Sequence, residues 1–256
     1  MSIYNPDAST SCGVHPRATL CRRHQIMSPD EKSWQAIRRR IADAAGRVGR
    51  DPTTISLLAV SKGQPAAAIR AAYALGQRAF GENYVQEAVA KAGELANLPD
   101  IEWHMIGPLQ TNKTRIAGER FAWVQSVDRL KIAERLSAAR DAHLSPLNVC
   151  VQVNISGERS KSGAAPGDAG SLARAVAKLP QLVLRGFMGI AEETAAVDRQ
   201  RRQFRMLREI FDAVRADGLA LDTLSMGMSA DLEAAVAEGA TMVRIGTALF
   251  GPRVAP

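Results

Sequence analysis

Cysteine is scarce in this chain of 256 residues: there are three, Cys12, Cys21 and Cys150, far apart and with no CxxC pair or Cys/His spacing. Neither a disulfide framework nor a zinc site is expected, and no metal; unpaired thiols suit a reducing, cytoplasmic setting. Aromatic residues are only 5% of the chain, and no RNP-like or helix-turn-helix pattern occurs, which argues against a nucleic-acid module. No apolar run approaches the roughly 20 residues of a membrane-spanning helix. No GxGxxG turn follows the first strand-like segment, which argues against a dinucleotide-binding open sheet.

What is present has globular proportions, with 46% hydrophobic and 23% charged residues. The net charge of +7 invites a phosphate or nucleic-acid partner, but Lys32, Lys91, Lys113, Lys131 and Lys178 fall in helix-like segments, as do Arg38 to Arg40 and Arg199 to Arg208. Such positions predict solvated helix faces. Residues 1–27 mix Ser, Thr, Pro and His without period, and are expected to be a disordered tail, with Met27 an equally plausible start. The sequence Ser28-Pro29-Asp30-Glu31 carries an N-cap serine, a proline at the first helical position and a glutamate two residues on. Trp34, Ile37, Ile41, Ala45 and Val48 follow at helical spacing.

From residue 55 onward, short β-branched runs alternate with amphipathic ones. The strand candidates are 55–60, 78–81, 101–107, 121–126, 147–154, 182–190, 222–227 and 241–246, with helical segments between neighbours, among them 65–75, 84–96, 129–142, 168–179, 198–217 and 230–239. Eight strand–helix units in about 200 residues predict a parallel sheet closed into a single (β/α)₈ TIM barrel over 28–256, preceded by an extra N-terminal helix.

In such a barrel the loops after the strands form the functional face. Polar residues stand there: Ser61-Lys62, Glu82-Asn83, His104 with Gln110 and Asn112, Ser126, Asn154, Ser229, and Arg244 to Thr247, predicting one ring around one mouth. Lys62 follows the apolar LLAVS run, where burial favours the uncharged, nucleophilic amine that a Schiff base requires. The alternative is an ordinary lysine at a strand end. Ser229 in SMGMS, where a helix is expected to begin, and Gly246 in VRIGT fall in the loops after the last two strands, the usual phosphate position in barrels; a tight turn plus N-cap with no ligand is the alternative. A Schiff-base lysine opposite a phosphate cup suggests a phosphorylated aldehyde.

LLAVSK, FGENYVQE, WHMIGPLQTNK, VQVN followed by ERSKSG, LSMGMSAD and VRIGTALFGPR together resemble the motifs of the pyridoxal phosphate homeostasis family, in its order, over roughly residues 30–253. The resemblance implies an alanine-racemase-like barrel with pyridoxal 5'-phosphate (PLP) on Lys62. It implies phosphate contacts from Ser229, Gly246 and Thr247, with Arg244 facing the pyridine nitrogen and Asn83 near the ring. The chain is accordingly expected to be a cytoplasmic PLP carrier, more a monomer than an oligomer, with apo PLP-dependent enzymes as acceptors and no membrane or nucleic-acid partner. Gly63-Gln64 departs from the threonine and second lysine of many relatives, and Pro108 stands where a histidine is common. The competing enzyme reading, an amino-acid racemase, expects a further β domain and a second acid/base. Tyr84 is the one tyrosine in position for that, and is expected to pack instead. His104 is expected to be a core or rim histidine, and Lys161 a solvated lysine at the lip.

Overall fold

A computed structural model describes residues 30–158 and 161–251. The expected tail, the proposed start at Met27 and the cap residues Ser28 and Pro29 lie outside them. The first helix, α1 (Glu31–Gly46), is capped by Asp30, whose carboxylate accepts from the Ser33 amide at 2.7 Å. The cap is therefore Asp30 and not Ser28. Trp34, Ile37, Ile41, Ala44 and Ala45 form its buried stripe; Val48, expected to continue that stripe, lies past the helix end and is exposed.

Eight strands follow: β1 (Ser56–Val60), β2 (Ala79–Glu82), β3 (Glu102–Met105), β4 (Trp123–Val127), β5 (Leu147–Val153), β6 (Leu182–Gly189), β7 (Thr223–Ser225) and β8 (Met242–Ile245). All pair in parallel in chain order, and β8 closes on β1 through Ser56↔Met242 to Ala59↔Ile245. The helices between them are α2 (Ala66–Ala74), α3 (Val85–Glu94), α4 (Thr114–Arg120), α5 (Leu130–Ala139), α6 (Pro166–Val176), α7 (Val197–Ala216) and α8 (Leu232–Ala237), with a short α9 (Thr247–Phe250) after β8. The predicted (β/α)₈ barrel with an added N-terminal helix is thus the observed fold, most strands agreeing to within two residues at each end. Among the described residues no helix is long and apolar enough to cross a membrane.

The main apolar core lies where helices cover the outside of the sheet, with Phe80, Ile69, Ile132, Leu136, Phe204 and Leu207 fully buried. A smaller cluster, Trp123, Cys150 and Met188, is separate from it. Gln125 on β4 bonds to Ser225 on β7 and to the Met242 sulfur on β8. These strands are not sheet neighbours, so the contacts cross the barrel interior. That interior is partly polar, and this decides how the mouth above it is built.

Candidate functional site

A cavity of about 950 Å³ opens at the carboxyl ends of the strands. Val60 and Lys62 border it after β1, Asn83 after β2, Asn154 after β5, Ala191 after β6, Ser229 after β7, and Gly246 and Thr247 after β8. Parallel strands bring all these ends to one face, so residues almost 190 positions apart in sequence become neighbours. Lys62, Asn83, Ser229, Arg244, Gly246 and Thr247, all singled out from the sequence, line this one cavity.

Lys62 sits half-buried in a turn directly after β1. Arg244 is buried in β8. Its Nη1 donates to the Ser225 hydroxyl at 3.0 Å and its Nη2 to the Gly189 carbonyl at 2.9 Å. Because a guanidinium only donates, the Ser225 hydroxyl donates its own hydrogen bond to Gln125 Oε1, at 2.6 Å. The Gln125 amide nitrogen then donates to His104 Nδ1 at 2.9 Å. The imidazole proton accordingly resides on Nε2, which faces Glu102 Oε2 at 3.7 Å, beyond hydrogen-bond reach. Burial holds His104 below the ordinary imidazole range, so it is neutral, and stacks it on Trp123 with ring centroids 5.1 Å apart. The same desolvation lowers Arg244 to about 10, which still leaves it charged at neutral pH.

The cup is built differently from the sequence expectation. Ser229 does not begin a helix: α8 starts at Leu232 with Asp231 before it, and Ser229 lies in the preceding turn. The Asp231 carboxylate accepts from the Met228 amide at 2.5 Å. From outside, Arg40 on α1 donates to the Ser229 carbonyl at 3.1 Å while pairing with Glu233. Gly246 packs against β1, where a Cβ would lie 3.2 Å from the Val60 carbonyl oxygen. A larger residue there would push the β8 end away from Lys62.

Several expected ring members are elsewhere. Ser61, Glu82, His104, Gln110, Asn112 and Ser126 do not line the cavity; Ser61, Glu82, His104 and Ser126 are buried below or behind it. Tyr84, expected to pack, is 67% exposed and outside the cavity lining. Lys161 is a half-buried wall residue and not a solvated one. Lys91, expected on a solvated helix face, is buried. The sequence reading missed Gln152, Ser162, Met228 and the Glu192–Ala195 loop, all on the cavity wall. The Glu192–Ala195 loop follows β6 and could have been found by the same strand-end rule; Gln152 could not, since nothing local distinguishes an inward from an outward polar residue.

The family described as alanine racemase, N-terminal domain, matches residues 33–254. The pyridoxal phosphate homeostasis protein of Pseudomonas aeruginosa is 60% identical over 227 residues, covering 89% of this chain and 97% of that protein. The chain belongs to the pyridoxal phosphate homeostasis protein family. The homeostasis protein of Escherichia coli (strain K12) is 51% identical over 219 residues, 85% of this chain and 94% of its own. Among solved structures, PipY of Synechococcus elongatus with PLP bound superposes with a TM-score of 0.72 at 42% identity, covering 82% of this chain and all of that one. Members of the pyridoxal phosphate homeostasis family are thus matched over nearly their whole length, and the barrel is the unit they share with this chain.

Proposed function

We propose that residues 28–256 form one binding unit that holds PLP reversibly on Lys62 at the barrel mouth and hands it on inside the cytoplasm, without turning over a substrate of its own. The observation that carries this reading is the convergence of Lys62, Asn83, Ser229, Arg244, Gly246 and Thr247 on one cavity. That donor set comprises a primary amine, a buried guanidinium, hydroxyls and a close backbone approach, and it fits a phosphorylated pyridine aldehyde in charge and size. When bound, PLP supplies an electrophilic aldehyde carbon, which joins reversibly to an amine with loss of water, and an anionic phosphate.

The residues divide the tasks in this reading, with Asn83 beside the ring. Lys62 provides the amine. Ser229 and Thr247 donate hydroxyl hydrogen bonds to phosphate oxygens, and Gly246 lets the backbone come close to them. Arg244, held by Ser225 and Gly189, presents a permanent donor toward the ring nitrogen. A guanidinium does not readily pass a proton, so strong electron withdrawal by the ring is not supported. Neither a tyrosine nor a histidine is among the described residues lining the cavity, and the curated relatives carry a homeostasis name. Both favour holding over turnover; the proposal takes apo PLP-dependent enzymes as the acceptors and a monomer as the working form.

The test is to load the purified protein with PLP, add an apo PLP enzyme and follow recovered activity. A parallel incubation with D- and L-amino acids monitors turnover. Transfer without sustained turnover is expected. Racemisation on the order of 1 per second or faster would replace the carrier with an enzyme. Ser229→Ala should weaken PLP by about 1–3 kcal/mol and pyridoxal, which lacks the phosphate, far less; equal weakening would move the phosphate site.

A further inference from the structure

We infer that the cluster of buried Glu82 and Lys91 with half-buried Glu87 is the positioning device of the Lys62 turn, clamping the residues on both sides of Lys62 so that its side chain enters the mouth in one register. This inference rests on Lys62 being the attachment point.

The geometry is specific to that turn. The Lys91 ammonium donates to the Ser61 carbonyl at 2.7 Å, to Glu82 Oε1 at 2.8 Å and to Glu87 Oε1 at 2.7 Å. All three of its protons are thereby used. The Ser61 hydroxyl donates to the same Glu82 oxygen at 2.6 Å. On the other side of Lys62, the Gly63 amide donates to Glu87 Oε1 at 2.6 Å. Gly63 has φ +68°, the left-handed region where a side chain is strained, so the turn reverses sharply just after Lys62. The cluster therefore grips the carbonyl and hydroxyl of the preceding residue and the amide of the following one.

Stability alone does not account for these groups. The Lys91 and Glu82 side chains are 7% and 0% exposed, and burying an ion pair contributes little net stability compared with apolar residues of similar volume. Burial pushes Glu82 above the usual carboxylate range, against the pull of Lys91 and Ser61. What the cluster supplies is direction: α3 places Glu87 and Lys91 one turn apart, and β2 ends on Glu82 beside β1. Two elements thus set the position of the turn between β1 and α2.

Two probes separate positioning from general support. Pyridoxal 5'-phosphate can bond to Lys62, whereas pyridoxine 5'-phosphate has the same ring and phosphate but an alcohol in place of the aldehyde. In Lys91→Met and Glu87→Ala, the rate of borohydride-trapped PLP attachment should fall by about tenfold, as expected for an amine displaced on the ångström scale. Affinity for pyridoxine 5'-phosphate should stay within about twofold. Glu87→Gln keeps an oxygen for the Gly63 amide and should recover most of the rate. Amide exchange at Gly63 should quicken by about tenfold in Glu87→Ala. Unchanged attachment rates, or equal losses for both probes, would overturn the inference. Should Lys91→Met not fold, Glu87→Ala decides alone, because its side chain is at the rim and 26% exposed. Lys62→Ala is the control: a trapped adduct persisting there refutes the attachment point itself, whereas its loss alongside wild-type behaviour of Glu87→Ala refutes only the clamp.

Discussion

At the residue scale, the chain from Arg244 through Ser225 and Gln125 to His104 decides protonation states by elimination. Because Arg244 can only donate, Ser225 must donate onward to the Gln125 oxygen, which turns the Gln125 amide nitrogen toward His104 Nδ1, so the neutral imidazole follows from the charged guanidinium at the other end. This carries a pH consequence. The folded value of His104 is depressed by burial, so its contribution to stability is complete above the ordinary imidazole value of about 6.5 and is lost as pH falls toward the folded value. Glu102 at 3.7 Å favours the protonated ring, and the Arg185 guanidinium, 4.8 Å from the Trp123 ring on which His104 stacks, is a like charge that opposes it. Glu82, raised by burial, has the opposite sign, with stability present at low pH and lost as pH rises, but it is common to wild type and variant. His104→Gln should therefore flatten the loss of urea stability as pH falls below about 6.5, by up to about 1.4 kcal/mol per pH unit. An unchanged slope in paired urea titrations would place the titration elsewhere. Cys150, buried beside this chain, is pushed up to about 12 and is expected to remain unmodified by thiol reagents in the native protein.

At the scale of elements, α1 is more than an addition to the barrel. Arg50, just beyond its end, donates to the Val236 and Ala240 carbonyls, both at 2.8 Å, and Arg40 reaches the Ser229 carbonyl. The helix thus closes the seam beside α8 and holds the turn that carries Ser229. Arg40→Ala should cost about 1 kcal/mol in stability, because its pair with Glu233 is partly exposed and screened. It should also weaken PLP severalfold while leaving pyridoxal nearly unchanged. Calorimetric titration with both ligands checks this; equal effects on the two would mean that α1 supports the barrel but not the phosphate turn.

For the whole molecule, closure of β8 on β1 brings Arg244, Gly246 and Thr247 to the same cavity as Lys62, so a ligand held as proposed would join the first and last units of the chain. Binding to the folded state alone should add about 2.7 kcal/mol at a ligand concentration 100 times Kd. For a domain of this size that corresponds to roughly 5–10 °C in Tm. Lys62→Ala should lose most of this increment with PLP and none of it with pyridoxine 5'-phosphate. Equal increments with PLP in the wild type and in Lys62→Ala, read by scanning calorimetry, would show that the covalent bond contributes nothing to holding.

Periodicity alone determined the eight strand–helix units and their parallel order, because amphipathic period and β-branched runs are local properties that short right-handed connections convert into one topology. Strand-end placement also singled out all six proposed ligand residues, and the Lys62 and SMGMS segments were legible because unusual chemistry stood directly after an apolar run. Only the tertiary structure decided which polar residues face the mouth. Ser126 and His104 are buried away from its lining, Tyr84 stands outside it, and Lys91, indistinguishable in sequence from a solvated helix lysine, is buried against Ser61. The physical reason is that a polar side chain can be stabilised equally by water or by a distant partner. Whether Lys91 meets Glu82, or Arg244 meets Ser225, depends on barrel closure and not on any local spacing.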